Sequence, residues 1–398
     1  VRLLDVSVPG SNRRTAGLLG FAVLLVGVAE ALSQTYIVLY GVDVLHLSPL
    51  QVGLCYSASG VTGMVAAVWC GRRFDRRPTR RWLLGVVLAG ALGWVLLSQV
   101  RSFAAVLLLC LTLIGVLTGA GFPQLFAFAH ARLPGDRTAR ALRTVWSTAW
   151  TLGPALAAVV VAWRGYVTVF GLAAAMLVLA AVTVSASGRA QPSTPSSAGD
   201  DREPPPSVPQ AALMLVLGGS SLFFLAMFAG GLALPLYLTR TLDRPDSFVG
   251  VMFSVTAGFE VLASLVVTLL PARVPTRSVV LTGMVLMVAY FGCLVFARSS
   301  LALVLVHALR GAAIAGVGAA GLHYLQQMLA PAVGRASSLF ANSATAAGIV
   351  SGLVGGTVVT VLGARAALAS SGGIAMLAVL MFWAGSRRVD SARGPGMR

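Results

Sequence analysis

Lysine is absent from this chain of 398 residues, so all 29 basic residues are arginines. That absence excludes whole mechanisms. A P-loop needs a lysine at the phosphates, and Schiff-base chemistry, including that of pyridoxal phosphate, needs an amine nucleophile. Neither an ATP-driven pump nor a lysine-dependent enzyme fits. Charge of any kind is scarce: 10% of residues carry it, against about 25% in soluble domains. The four histidines have no H-E-x-x-H or other metal-ligand spacing. The four cysteines, Cys55, Cys70, Cys110 and Cys293, stand singly in or beside apolar runs with no C-x-x-C pair. They read as small packing residues. No metal and no other cofactor is expected.

What the chain has in excess is apolar surface. Hydrophobic residues make up 57%, and the mean hydropathy is +0.88. A soluble fold would have more apolar surface than it could bury, so a polytopic membrane protein is expected. A spanning helix needs about 20 mostly apolar residues. Twelve such runs occur, at 15–40, 49–70, 82–99, 103–129, 138–162, 165–187, 211–239, 248–270, 278–297, 301–329, 336–361 and 365–385. The first follows Arg13 and Arg14 and contains Glu30 at a place loosely like a signal-peptide site. It is longer than a signal's apolar core and is read as a span.

Twelve spans return both termini to one side of the membrane. The termini and the loops on their side carry 22 arginines, the opposite loops carry 6, and Arg310 lies inside a span. The positive-inside rule then places both termini in the cytoplasm. The net charge of +17 becomes a topology signal and an attraction to the anionic lipid of the bilayer. Nucleic acid is not an expected partner, because the arginines are divided among short loops.

The stretch 188–210, GRAQPSTPSSAGDDREPPPSVPQ, is rich in proline, serine and acid and cannot bury a face. It reads as a flexible linker between a six-helix bundle at 1–187 and a second at 211–398, which ends in a short tail. The halves repeat weakly. Val52-Gly53-x-x-Tyr56-Ser57 returns as Val249-Gly250-x-x-Phe253-Ser254, and Tyr40 maps onto Tyr237, both at an offset of 197. Arg140-Ala141 returns as Arg335-Ala336, and Ala149-x-x-x-Gly153 as Ala344-x-x-x-Gly348, at 195. A parallel repeat with a long central loop is the sequence form of a secondary transporter that rocks two bundles about a midplane site.

The sharpest local motif is GRRFDRRPTRR at 71–81, between the second and third spans. Its Gly71, Asp75, Arg76, Arg80 and Arg81 resemble the loop motif of the major facilitator superfamily. The resemblance implies two six-helix bundles and alternating access. It makes Gly71 a point of close helix approach and Asp75 the centre of a network that stabilises the outward-facing state. The fifth span carries Ala149-x-x-x-Gly153-Pro154-x-x-Ala157-Ala158, similar to the superfamily motif associated with antiporters.

Within the superfamily the chain resembles the bacterial sugar-efflux transporters. The likeness rests on Pro123-Gln124-Leu125-Phe126-Ala127, on Arg143 leading into Ala149-Trp150 and Gly153-Pro154, on Ala257-Gly258-x-Glu260, and on Gln326 with Ser338-Leu339-Phe340-x-Asn342-Ser343. It implies a multi-pass protein of the bacterial cytoplasmic membrane that exports sugars or glycosides. The chain departs from the pattern at Glu30 and Arg310, charged where uncharged residues are expected, and at Gln327, where an acid is expected.

Three ionisable residues stand near span centres: Glu30, Glu260 and Arg310. Insertion scales put each at about +2.5–3.5 kcal/mol, so they must face water or one another. One reading makes Glu30 or Glu260 a proton carrier, since burial and a facing arginine push a carboxyl in opposite directions. The other makes one of them the permanent partner of Arg310, and Arg310 can also serve an anionic substrate group. His307 lies one turn before Arg310, and Gln34 one turn beyond Glu30. Sugar binding calls for polar groups and aromatic platforms, with Tyr36, Tyr40, Tyr56, Gln124, Trp150, Tyr237, Gln326 and Asn342 as candidates, although packing or interfacial anchoring is the stronger expectation for the aromatics and a gate or helix-packing role is the alternative for Gln124. The same machinery also suits export of a drug or an antibiotic made by the cell, and an apolar lining would favour that reading. No nucleophile–base pair points to an enzyme.

Overall fold

The structure, a computed structural model, describes residues 10–76, 79–133, 136–188, 208–271 and 273–393. Most of the expected linker, residues 189–207, falls outside them. Among the described residues there are no strands, and twelve helices are long and apolar enough to cross a membrane. In chain order these are α1 (Gly10–Leu39, continued by a π-helical turn Tyr40–Val44), α2 (Pro49–Arg76), α3 (Arg80–Leu97), α4 (Phe103–Arg132, with a π-helical turn at Cys110–Ile114), α5 (Asp136–Arg164) and α6 (Tyr166–Ala186). Then follow α7 (Gln210–Leu236, continued by a π-helical turn Tyr237–Thr241), α8 (Asp246–Leu269), α9 (Thr276–Leu294), α10 (Ser300–Met328), α11 (Val333–Leu362) and α12 (Ala364–Arg393).

Lipid is the solvent of the outer faces. Trp163 is 82% and Leu269 73% exposed, as suits apolar helices whose outer faces meet lipid. The helices outrun the apolar runs at their polar ends. Helix α2 continues through Gly71 and Asp75 to Arg76, because no proline interrupts the chain between Pro49 and Pro78. The motif expected in a loop is therefore split between the last turns of α2 and the first of α3, with residues 77 and 78 outside the described set.

The chain divides into two compact units, one of Val1–Tyr40 with Ala58–Ala198, the other of Gly41–Ser57 with Gly199–Arg398. In the first, α1 packs on α5 and α6, and α3 on α6 and α4. In the second, α7 packs on α11 and α12, and α9 on α12 and α10. Shifting every label by six turns one pattern into the other.

The repeat extends to single atoms. Tyr40 donates its hydroxyl hydrogen to the Leu97 carbonyl (3.1 Å) and accepts from Arg101 (3.4 Å). At an offset of 197, Tyr237 donates to the Leu294 carbonyl (3.3 Å) and accepts from Arg298 (2.9 Å). The same offset relates the N-capping Ser102 of α4 to Ser299 of α10. Among the described residues it also relates the two left-handed non-glycine positions, His46 and Asp243.

Candidate substrate and coupling site

Among the described residues, the buried acid Glu30 lies in the first unit and the buried base Arg310 in the second. In the first unit Glu30 sits in the middle of α1 and is only 8% exposed. Its helix crosses α5 at close range. A Cβ on Gly153 would stand 2.5 Å from the Ala31 Cβ, and one on Gly27 would stand 2.7 Å from the Ala149 Cβ. Small residues on both helices make this crossing possible, which explains the Ala149-x-x-x-Gly153 spacing. Helix α5 runs on through Pro154. The hydroxyls near Glu30 bond to backbone: Ser33 donates to the Ala29 and Glu30 carbonyls (2.9 and 3.1 Å), and Thr35 to the Ala31 carbonyl (2.6 Å). Within its unit, among the described residues, the Glu30 carboxylate forms no ion pair.

Around this crossing Gln34 is half-buried, and Trp150 is half-buried with its indole N–H buried and unbonded. Gln124 on α4 is buried, and its side-chain oxygen has no donor. Phe122 meets Phe126 at 4.2 Å and Trp146 at 4.5 Å between ring centroids. The motif-based reading passed over Trp146, although it lies one turn before Trp150. A cavity of about 340 Å³ opens farther along α4 and α5, lined by Phe126, Ala127, His130, Leu133, Thr138 and Leu142. Its walls are mostly apolar, and neither Glu30 nor Gln124 lines it.

In the second unit Arg310 is 7% and His307 0% exposed, both on α10. The Arg310 guanidinium carbon lies 5.3 Å from the ring centroid of Phe253 on α8 and 5.7 Å from that of Tyr290 on α9. The His307 ring meets the same Tyr290 ring edge-on at 5.5 Å. Helix α8 reaches α10 closely: a Cβ on Gly311 would stand 2.5 Å from the Thr256 carbonyl oxygen and 2.7 Å from the Glu260 nitrogen. Glu260 itself is half-buried. Phe253 and Tyr290 were not among the sequence candidates. Phe253 stood in the repeat only as the counterpart of Tyr56, and Tyr290 carries no spacing signal.

Other candidates fall elsewhere. Tyr40 and Tyr237, candidates for the cavity or for anchoring, are fully buried, and their hydroxyls bridge a carbonyl and an arginine at the ends of their spans. Tyr36 is buried, its ring 5.9 Å from that of Tyr166, and Tyr56 is half-buried. Gln326 donates to the Ser337 hydroxyl (3.1 Å), tying α10 to α11, and Asn342 is exposed. Gly71 makes no close approach, since a Cβ there would meet nothing within 4 Å. Asp75, Arg76, Arg81 and Arg143 are exposed. Arg80 donates to the Ser185 carbonyl (2.8 Å) and so joins α3 to the end of α6. An ion pair unforeseen in the sequence joins Asp43 to Arg240 at 2.6 Å. These two residues are also 197 apart, so equivalent positions of the repeat carry opposite charges.

The family model of the Major Facilitator Superfamily matches residues 19–237 and 216–397. The chain belongs to that superfamily. A protein of Deinococcus radiodurans is 31% identical to this facilitator over 382 residues, covering 93% of this chain and 97% of its own. Two proteins named sugar efflux transporter A are also similar. That of Escherichia coli is 25% identical, covering 84% of this chain and 86% of its own, and that of Dickeya chrysanthemi is 28% identical, covering 94% and 97%. Among solved structures, a mutant of the nucleoside transporter NupG superposes with a TM-score of 0.81 at 14% identity, covering 93% of this chain and 99% of its own. A bacterial homologue of the human lysosomal transporter Spinster gives 0.75 at 12% identity, covering 96% and 98%. These two likenesses establish the fold. The facilitator is thus a multi-pass transporter of small molecules.

Proposed function

We propose that this facilitator exports sugars or glycosides across the bacterial cytoplasmic membrane in exchange for protons, by alternating access. Both termini lie in the cytoplasm in this reading, and 188–210 links the six-helix bundles 1–187 and 211–398. The sugar class is supported by the relatives named for sugar efflux over most of their length. The observation that carries the coupling is Glu30, an acid buried in the middle of α1 with no ion pair among the described residues of its unit. A permanently paired carboxylate is held charged, whereas an unpaired one can gain and lose a proton as its surroundings alternate between wet and dry. Glu260 is the second candidate carrier. Asp75, exposed here, belongs to a clasp formed in another state of the cycle.

Reconstituted protein tests the class. Counterflow of labelled methyl glucoside, saturable and competed by other glycosides, is the expected result. A second reading, export of a drug or natural product, draws on the apolar walls of the cavity at α4 and α5. Competition by amphipathic drugs with none by glycosides would put it first.

A further inference from the structure

The Arg310 cluster goes beyond the export reading, on which it rests. We infer that this cluster binds the carboxylate of an acidic sugar, a uronic acid or its glycoside, so that the exported class is anionic. Phe253 and Tyr290 cover the guanidinium at 5.3 and 5.7 Å. Aromatic faces attract the cation, and the Tyr290 hydroxyl can accept one N–H bond of Arg310, but the rings offer nothing to the others, which lie in the guanidinium plane. Arg310 Nη1 is accordingly buried without an acceptor. Nη2 lies beside α7, where a Cβ on Gly231 would stand 3.4 Å from it. A side chain at that position would crowd this edge of the fork.

One turn earlier, the His307 Nδ1 is 2.7 Å from the Leu303 carbonyl oxygen and donates to it. In the neutral ring Nε2 is then an acceptor, and it is buried without a donor. Both residues pack on the same Tyr290 ring. One buried cluster therefore holds an unfilled cationic donor and an unfilled acceptor. A carboxylate satisfies the first in charge and in planar geometry, and a sugar hydroxyl beside it satisfies the second. A neutral sugar would leave a buried charge unbalanced, and a phosphate brings a second charge that one arginine does not neutralise. Arg310 is also where the chain departs from the sugar-efflux pattern.

The test uses the purified full-length transporter with methyl β-D-glucoside, methyl β-D-glucuronide and glucose 6-phosphate as probes. Thermal stabilisation of wild type should reach half-maximum at about tenfold lower glucuronide than glucoside concentration. Arg310→Gln should bring that ratio close to one. If Arg310→Gln does not fold, Arg310→Lys should give a ratio between the two, since it keeps the charge and loses the fork. Equal concentrations in wild type, or a preference that survives Arg310→Gln, overturn the inference, and phosphate binding tightest overturns the carboxylate assignment. Glucoside counterflow with no glucuronide preference defeats this inference and leaves the export reading standing. Counterflow of none of the three probes defeats the export reading and this inference with it.

Discussion

Glu30 and Tyr237 illustrate two fates of a polar side chain inside a membrane. Glu30 is buried and, among the described residues of its unit, forms no ion pair, so its replacement is expected to leave the fold intact. Glu30→Gln should fold with wild-type yield and should still exchange sugar across the membrane. It should lose uphill export in a pH gradient, because the amide cannot carry a proton. Flux assays on one preparation separate the two activities, and uphill export by the variant would remove Glu30 from the coupling site. Tyr237 links the Arg298 guanidinium to the Leu294 carbonyl. Tyr237→Phe should cost about 1–2 kcal/mol of stability and leave the order of substrate preference unchanged. A changed preference would return Tyr237 to the substrate cavity.

Helix crossings set the tolerance of the small residues. Gly311 meets the Thr256 carbonyl oxygen, the Glu260 nitrogen and the Phe259 Cβ at 2.5–2.8 Å from an added Cβ. Gly311→Val should therefore lower folded yield, at a cost of about 1–3 kcal/mol or more, whereas Gly71→Val should not. Size-exclusion yields of the two variants would compare them directly. Asp75→Asn, at the exposed end of α2, should slow flux while leaving thermal stability and ligand affinity nearly unchanged. Unaltered flux would remove the clasp.

All twelve spans were legible in the sequence, because twenty apolar residues have one way to cross a bilayer. Their polar ends were less so. Apolarity marks where a helix enters lipid, but the backbone stops where capping or proline stops it, which is why α2 runs on to Arg76. The candidate site was half legible. Glu30 and Arg310 announced themselves as charges in apolar runs. Phe253 and Tyr290 did not, since an aromatic in a span looks the same whether it packs on lipid or on a guanidinium. Tyr40 and Tyr237 were open between cavity and anchor, because the sequence does not say at which depth a hydroxyl finds its carbonyl.

At the scale of the whole molecule, the chain is a duplicated helical transporter whose repeats match down to single hydrogen bonds and then diverge in charge. The offset of 197 pairs Tyr40 with Tyr237 and Arg101 with Arg298, but it sets Asp43 against Arg240. The buried charges differ likewise, an acid in the first unit and an arginine in the second. A symmetric scaffold can carry an asymmetric exchange of this kind, a proton on one side and a substrate on the other. The chain has no lysine for a P-loop, and the proposed proton exchange would draw the energy for uphill export from an ion gradient. The most direct measurement is wild-type sugar flux in proteoliposomes under an imposed pH gradient. Sugar should accumulate on the acidic side against its own gradient, and dissipating the pH difference with a protonophore should stop it. Flux that ignores the pH gradient would contradict proton exchange and leave a uniporter or an exporter driven by another ion.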